Sequence, residues 1–369
     1  MNIRYAAILV FLGLSSLTPA GAAELVVNLR GAPADVPLVF QVFDSPATFG
    51  DLRDPALEVT LPSTGDGEYR IGNVPSGAIA VGVFIDENAN GILDKSFIGI
   101  PREPVALSNN YRPKGPPAFD RARIDVADGE IKSLDLEFFL VLGERGRWGV
   151  GVGMIGRGNP YIGAQNEVTQ AIPAITFTGE RLQWLGPTLR YGIAGSGNLR
   201  LAIAADYRIG AYEEDDATVL VGMGDRENTL LAGLGVQWVI GGGFELDAAY
   251  QFDALDQIGG SQARAQLSRS FQAGFVRISP QVSVNWVGSD LSNHDFGVAP
   301  GQATPTRPAY SVGSTTNYEV GVFSFIELTE DWRILINLSL ERLDDKIADS
   351  PIVGDDSVVK GFAAITYVF

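Results

Sequence analysis

Several stretches of the chain alternate apolar and polar residues with a period of two. Leu199, Leu201, Ile203, Ala205 and Tyr207 are interleaved with Arg200, Ala202, Ala204, Asp206 and Arg208. Val276, Ile278, Val282, Val284 and Trp286 are interleaved with Arg277, Ser279, Gln281, Ser283 and Asn285. Trp332, Ile334, Ile336, Leu338 and Leu340 are interleaved with Arg333, Asn337, Ser339 and Glu341. Such a period puts successive side chains on opposite faces of a strand. The predicted strands run to about 10–14 residues, where a soluble strand has about 5–6. Their apolar faces end in Trp or Tyr, and their polar faces carry Arg and Asp at mid-strand. Both features point to a transmembrane β-barrel with aromatic girdles.

A barrel with both chain ends on one side of the membrane needs an even number of strands. A first count over residues 147–369 gives eleven. That count would put the long connections 210–227 and 289–316 in the periplasm, against the rule of short periplasmic turns and long outer loops. Splitting 180–195 at Gly186-Pro187 gives twelve, with ten as the alternative. The connections 157–170, 210–227, 253–258, 289–316 and 344–357 then all face outward.

Residues 24–142 follow another pattern. Short strands, among them Leu25 to Leu29, Leu38 to Phe43, Leu57 to Leu61, Ala78 to Ile85 and Leu134 to Leu142, are broken by Pro and Gly. About seven strands in this length fit a β-sandwich. Before it, Arg4, the apolar stretch Tyr5 to Leu17 and Ala20-Gly21-Ala22-Ala23 read as a secretory signal. The expected plan is therefore all-β. It comprises a signal peptide (1–23), a periplasmic β-sandwich (24–142), a linker (143–147) and an antiparallel transmembrane β-barrel of about 12 strands (148–369). The segment Gly67 to Gly77 resembles the strand-turn-strand of transthyretin-like modules. Asp86 to Asp94 with Gly99 to Glu103 resembles a family of secreted bacterial domains of unknown function, which implies a fold and a compartment but no activity.

Composition narrows the function classes. The chain has 369 residues, no Cys and one His, which removes disulfides, thiolate metal sites, thiol nucleophiles and multi-histidine centres. With 27 Lys+Arg against 44 Asp+Glu, the net charge of −17 argues against nucleic acid as a partner. The five predicted outer loops hold 16 acids and four bases. That rim would bind divalent cations bridging it to anionic outer-membrane lipid.

The C-terminal half carries a series of short motifs: Pro160-Tyr161-Ile162-Gly163, Pro173-Ala174-Ile175 with Gly179-Glu180-Arg181, and Leu220-Val221-Gly222-Met223-Gly224-Asp225. Asp349-Ser350-Pro351-Ile352-Val353 and the closing Tyr367-Val368-Phe369 follow. In this order they resemble the MltA-interacting protein/OmpV family of outer-membrane proteins. The resemblance implies a scaffold for a murein-cleaving lytic transglycosylase complex, other members looking like adhesins or porin-like proteins. The sandwich departs from the family's usual plan of a barrel alone.

Within this plan, Asp86, Asn88, Asn90, Gly91 and Asp94 match positions 1, 3, 5, 6 and 9 of an EF-hand loop, so Asp86, Asn88, Asn90 and Asp94 are candidate ligands for weakly bound Ca²⁺. Phe97 stands where the bidentate Glu belongs, and an ion-free Asx turn is the alternative. Gly151-Val152-Gly153-Met154-Ile155-Gly156 spells a dinucleotide fingerprint but lies in a barrel strand, where small residues facing a crowded lumen explain it better. Ser292, His294 and Asp295 lie together in a long loop without the rigidity a catalytic group needs. No catalytic residue is assigned and the protein is expected not to be an enzyme. Arg200, Asp206, Arg208, Arg277, Arg333 and Glu341 are the lumen-lining candidates, an interior closed by Arg–carboxylate pairs being favoured over an open one. The expected function is an envelope scaffold or docking protein. The alternatives are a narrow channel with the sandwich as periplasmic gate, and an adhesin using loops 210–227 and 289–316.

Overall fold

The computed structural model describes residues 22–369 except 97–98, 144–145, 165–167 and 197. Most of the predicted signal segment, residues 1–21, lies outside the described residues. The N-terminal part is built from β1 (Ala23–Arg30), β2 (Ala34–Phe43), β3 (Leu57–Thr64), β4 (Gly67–Val74), β5 (Gly77–Ile85), β6 (Val105–Leu107), β7 (Ile124–Val126) and β8 (Ile131–Glu137). One sheet runs β4-β1-β8, with β1 and β8 parallel; the other runs β3-β2-β5-β6, with β7 on β5. Leu25, Val27, Phe40, Ile71, Val83 and Leu136 fill the space between the sheets. Strand β5 reads as an unbroken apolar run, and β2 as one interrupted only by Gln41 from Val36 onward, because both faces are covered. On their far side Val39, Phe43 and Phe84 meet Phe49 and Phe119 from α1 (Pro46–Asp51) and α2 (Phe119–Ala122).

The remainder is a closed barrel. Its strands are β9 (Arg147–Arg157), β10 (Val168–Thr178), β11 (Leu182–Leu185), β12 (Thr188–Ser196), β13 (Leu199–Arg208), β14 (Thr229–Gly241) and β15 (Phe244–Asp253). They continue with β16 (Ser261–Arg269), β17 (Phe271–Ala273), β18 (Val276–Val287), β19 (Thr315–Glu327), β20 (Trp332–Arg342) and β21 (Ser357–Val368). Because β17 prolongs β16 along the same partner β18, the wall has twelve positions, and β21 pairs with β9 to close it. The split at Gly186-Pro187 is the β11–β12 hairpin. Outward side chains are exposed and apolar, with Trp148, Trp238 and Trp332 at one end and Tyr207, Tyr250, Trp286 and Tyr318 at the other. No helix is long and apolar enough to cross a membrane among the described residues; the crossing elements are strands.

The barrel has a turn end, where both domains meet, and a loop end. Two expectations change here. The 289–316 connection is not simply a loop: it opens with α3 (Ser289–Phe296), whose Leu291, Ser292, Asp295 and Phe296 are buried. Gly151 and Gly153 are small because a neighbouring backbone is close, not because the lumen is crowded. A Cβ at Gly151 would run into the Ile365 carbonyl on β21, and one at Gly153 would stand 3.0 Å from the Ala363 carbonyl oxygen. The glycine series is the closing seam of the barrel.

Candidate functional site

Side-chain alternation turns Asp206, Asp247, Gln251, Gln262, Gln281, Glu319, Asn337, Glu341 and Lys360 to the same interior. There they form separate polar clusters. Arg190 pairs with Asp206 at 3.4 Å and with Asp247 at 3.7 Å. Gln251 donates to Asp206, and Gln262 donates to Gln251 at 2.9 Å. Further round the wall, Gln266 on β16 donates to Gln281 on the adjacent β18 at 3.1 Å, and Gln281 to Asn337 on β20 at 3.0 Å. Lys360 pairs with Glu341 at 2.7 Å and with Glu319 at 3.6 Å, while Asn317 donates to Glu341 at 3.2 Å. Burying these charges costs less because each has a partner.

The six lumen candidates fall into three tiers and not into one site. Asp206 and Glu341 belong to two different polar clusters of the lumen. Arg208 reaches the loop end, where it pairs with Asp295. Arg200, Arg277 and Arg333 lie at the turn end against the sandwich. Arg277 donates to the Asp51 carboxylate at 2.8 Å and to the Gly50 carbonyl at 3.3 Å. Arg333 donates to the Lys114 carbonyl at 3.3 Å. Buried Arg200 lies beside Gly99, whose Cβ would stand 3.4 Å from its guanidinium.

The turn-end mouth is covered by residues that the periodicity did not single out. Tyr111, 3% exposed, donates to Glu327 at 2.6 Å. Burial, and then the neighbouring carboxylate, push the Tyr111 phenol up, so it stays protonated as the donor. Lys114 donates to Asp331 at 2.5 Å and to the Val368 carbonyl at 2.8 Å. Gly115 meets the Phe325 ring, where a Cβ would stand 2.8 Å away. Pro113, Pro116 and Pro117 stiffen this segment, which was the one available signal. Behind it, burial holds the Lys95 amine at about 8, and that amine donates to the Asp51 carbonyl at 2.6 Å.

At the loop end the connections pack into a second core around Tyr161, Tyr212, Leu220, Met223, Phe296, Ile352 and Val353. Tyr161 stacks edge-on against Tyr212 at 4.8 Å and donates to the Asp295 carbonyl at 3.2 Å. Ser350 donates to the Phe296 carbonyl at 2.6 Å, and Ile162 N–H to the Ile352 carbonyl at 2.9 Å. Three motifs, Pro160 to Gly163, Leu220 to Asp225 and Asp349 to Val353, are thus brought together as a cap. Burial pushes the Asp295 carboxyl up, but Arg208 and His294 outweigh it and hold it at about 2. His294 Nδ1 lies 3.1 Å from Asp295, whereas Ser292 bonds Thr315 at 2.9 Å, so the three do not form a nucleophilic triad. Several loop acids serve the cap itself: Glu214 accepts from Gly222 and Gly224 N–H, and Asp344 accepts from Thr316 N–H at 2.7 Å.

The Asp86–Asp94 loop leaves the far end of β5. Asp86 accepts from Asn90 N–H at 3.0 Å and Gly91 N–H at 2.8 Å, and Asn88 donates to Asp94 at 2.6 Å. Buried Glu103 closes the loop by accepting from Glu87 N–H and Asp94 N–H. Burial raises its carboxyl above the ordinary range. The four oxygen-bearing residues therefore lie together, with the Asn88 amide turned toward Asp94.

Residues 150–369 match the family described as MltA-interacting protein MipA, and residues 28–133 match an uncharacterized protein family conserved in bacteria (DUF2141). Outer membrane protein OmpV of Vibrio cholerae is 28% identical over 43% of this chain. That match spans only 62% of the relative's own length. MltA-interacting protein of Escherichia coli is 21% identical over 60% of this chain and 89% of its own. A structure of the NanC porin aligns over 59% of this chain and 98% of its own, at 11% identity and a TM-score of 0.31.

Proposed function

Starting from a chain that belongs to the MltA-interacting protein MipA family, we propose an envelope docking protein whose barrel anchors a periplasmic sandwich. The barrel lies in the bacterial outer membrane, as its relatives do. The observation that carries the reading is the seat of the sandwich. Tyr111–Glu327, Lys114–Asp331 and Arg277–Asp51 tie it to the turn-end mouth, while edge strands β3 and β4 have no further strand partner among the described residues. A sheet edge presents a row of backbone donors and acceptors suited to adding an extended segment of another protein. With the loop end outward, these edges face the periplasm and murein-associated proteins. A lytic transglycosylase is the partner class that the family description suggests.

Photo-cross-linkers placed at Asn73 on β4 and Thr60 on β3 test this in intact cells. Adducts with a murein-associated protein are expected from both strands. Their absence from both, with adducts only from the outer loops, would favour an adhesin instead.

One observation favours the channel alternative. Three inward-facing arginines, Arg200, Arg277 and Arg333, are covered by the sandwich and not by barrel carboxylates alone. In that reading the sandwich is a gate, and its removal would open a conducting path.

A further inference from the structure

The two free edges of the sandwich are not equivalent. Strand β4 is bulged: between the pairs Ala23–Val74 and Leu25–Ile71, Gly72 and Asn73 stand against Glu24 alone. Asn73 takes a positive φ of 60°. A bulge of this kind twists an edge away from further pairing. Strand β3 pairs with β2 without a break from Leu57 to Pro62.

The register of β3 fixes which of its backbone groups are free. Pro62 stands opposite Pro37, and neither has an N–H, so this pair exchanges no hydrogen bonds. Antiparallel pairs alternate between bonded and non-bonded ones. Leu57, Val59 and Leu61 therefore bond β2, and Glu58, Thr60 and Pro62 turn their backbone groups to the edge. The Pro37 carbonyl, which accepts from Asp86 N–H on the β5 side, agrees with this. Thr64, next in the same row, is already capped, its N–H donating to the Tyr69 hydroxyl at 3.0 Å. The N–H and C=O groups of Glu58 and Thr60, and the C=O of Pro62, have no backbone partner among the described residues.

The side chains of β3 also lack a neighbour. Leu57, Val59 and Leu61 are only half-buried, although they pack on the core in which Leu38, Phe40 and Val42 of β2 are fully buried. Glu58 carries the strand's one charge, and it is bonded at 2.8 Å by the Gln41 amide, which is no cation. Residues 24–142 as a whole hold 18 acids and 10 bases. A strand laid along β3 would cover the half-buried row with apolar side chains and set a basic one opposite Glu58.

We propose that the sandwich binds its partner by adding an extended segment of about five residues to the β3 edge. The segment alternates apolar residues, packed on Leu57, Val59 and Leu61, with polar ones that include Lys or Arg opposite Glu58. Pro62, with no N–H to offer, and the Tyr69 cap stop the added ladder at that end. This rests on the docking role proposed above and names the edge and the kind of segment. Strand β4 follows β3 through the Gly65-Asp66 turn. Its edge lies about 10 Å away, at the spacing of packed sheets, so a cross-linker on either strand reaches the added segment.

A photo-cross-linker at exposed Ala56, just before β3, tests this on the full chain in intact cells. Thr60→Pro removes an N–H that faces the edge and takes no bond from β2, whereas Thr60→Val keeps it. Adduct yield is expected to fall about tenfold in Thr60→Pro and to stay level in Thr60→Val. Glu58→Lys is expected to lower it about threefold. The cross-linked peptide, read by mass spectrometry, is expected to alternate apolar residues with polar and basic ones. Protease resistance of residues 24–142 checks that each variant is folded; if Thr60→Pro is not, Glu58→Lys decides. Adducts that respond to neither substitution overturn strand addition and leave docking standing. Adducts with a second copy of this chain alone, or none from β3 or β4 in the parent chain, overturn both.

Discussion

Tyr111 shows how much of the interdomain contact rests on single polar atoms. Its hydroxyl donates to Glu327 and accepts from Ala118 N–H, all of it buried. Tyr111→Phe leaves the buried Glu327 carboxylate short of a donor, and is expected to weaken the seat of the sandwich by about 1–3 kcal/mol. Earlier protease cleavage between the domains would read this out, with the barrel itself unaffected. At the loop end, Asp295 is held at about 2 against an ordinary 3.8, so folding favours its charged form. Its contribution is complete above the unfolded value and is lost as pH falls from about 4 through about 2. Protection factors of the cap amides, which correct for the intrinsic pH dependence of exchange, are therefore expected to stay level down to about pH 4 and to fall below it. We also propose weak calcium binding at Asp86, Asn88, Asn90 and Asp94, with a dissociation constant of about 10⁻⁴–10⁻³ M. Calorimetry on the full chain should show heat at millimolar Ca²⁺, lost in Asp94→Asn; no heat would leave an Asx turn. The inward Arg residues were legible from alternation alone. Their partners Asp51, Tyr111 and Lys114 were not, because they sit in helix-end and proline-rich segments with no period to read.

At the scale of elements, strand parity was the most informative feature of the chain. The rule that long connections share one end required a break at Gly186-Pro187, and the β11–β12 hairpin lies there. Strand limits agree with the alternation within a few residues, since period two flips a side chain to the wrong face at every slip. The α3 helix was missed for the opposite reason. Its eight residues are mostly polar, and the burial of Leu291 with the packing of Phe296 into the cap holds it, not an amphipathic stripe. The seam between β9 and β21 gives a direct test. Gly151→Val places a side chain into the Ile365 carbonyl and is expected to cost about 1–3 kcal/mol or more. Loss of the heat-resistant folded band on electrophoresis would register it. Gly67→Ala, where a Cβ meets nothing within 4 Å, leaves the barrel band unchanged.

The whole molecule is a barrel closed at one end by its own loops and at the other by a seated domain. The two-part organisation was visible in the shift from short, Pro-broken strands to long alternating ones. The seating was not, because it joins residues more than 200 positions apart, such as Tyr111 with Glu327 and Asp51 with Arg277. Removing residues 24–142 is expected to leave the barrel folded, since β9 to β21 close among themselves. It would expose Arg277 and Arg333 to the periplasm. The central claim, that the sandwich is seated on a closed barrel as a docking platform, is tested most directly by planar-bilayer conductance of the full chain. Insertion without steady channels is the expected result, and reproducible steady conductance with the sandwich in place would contradict it.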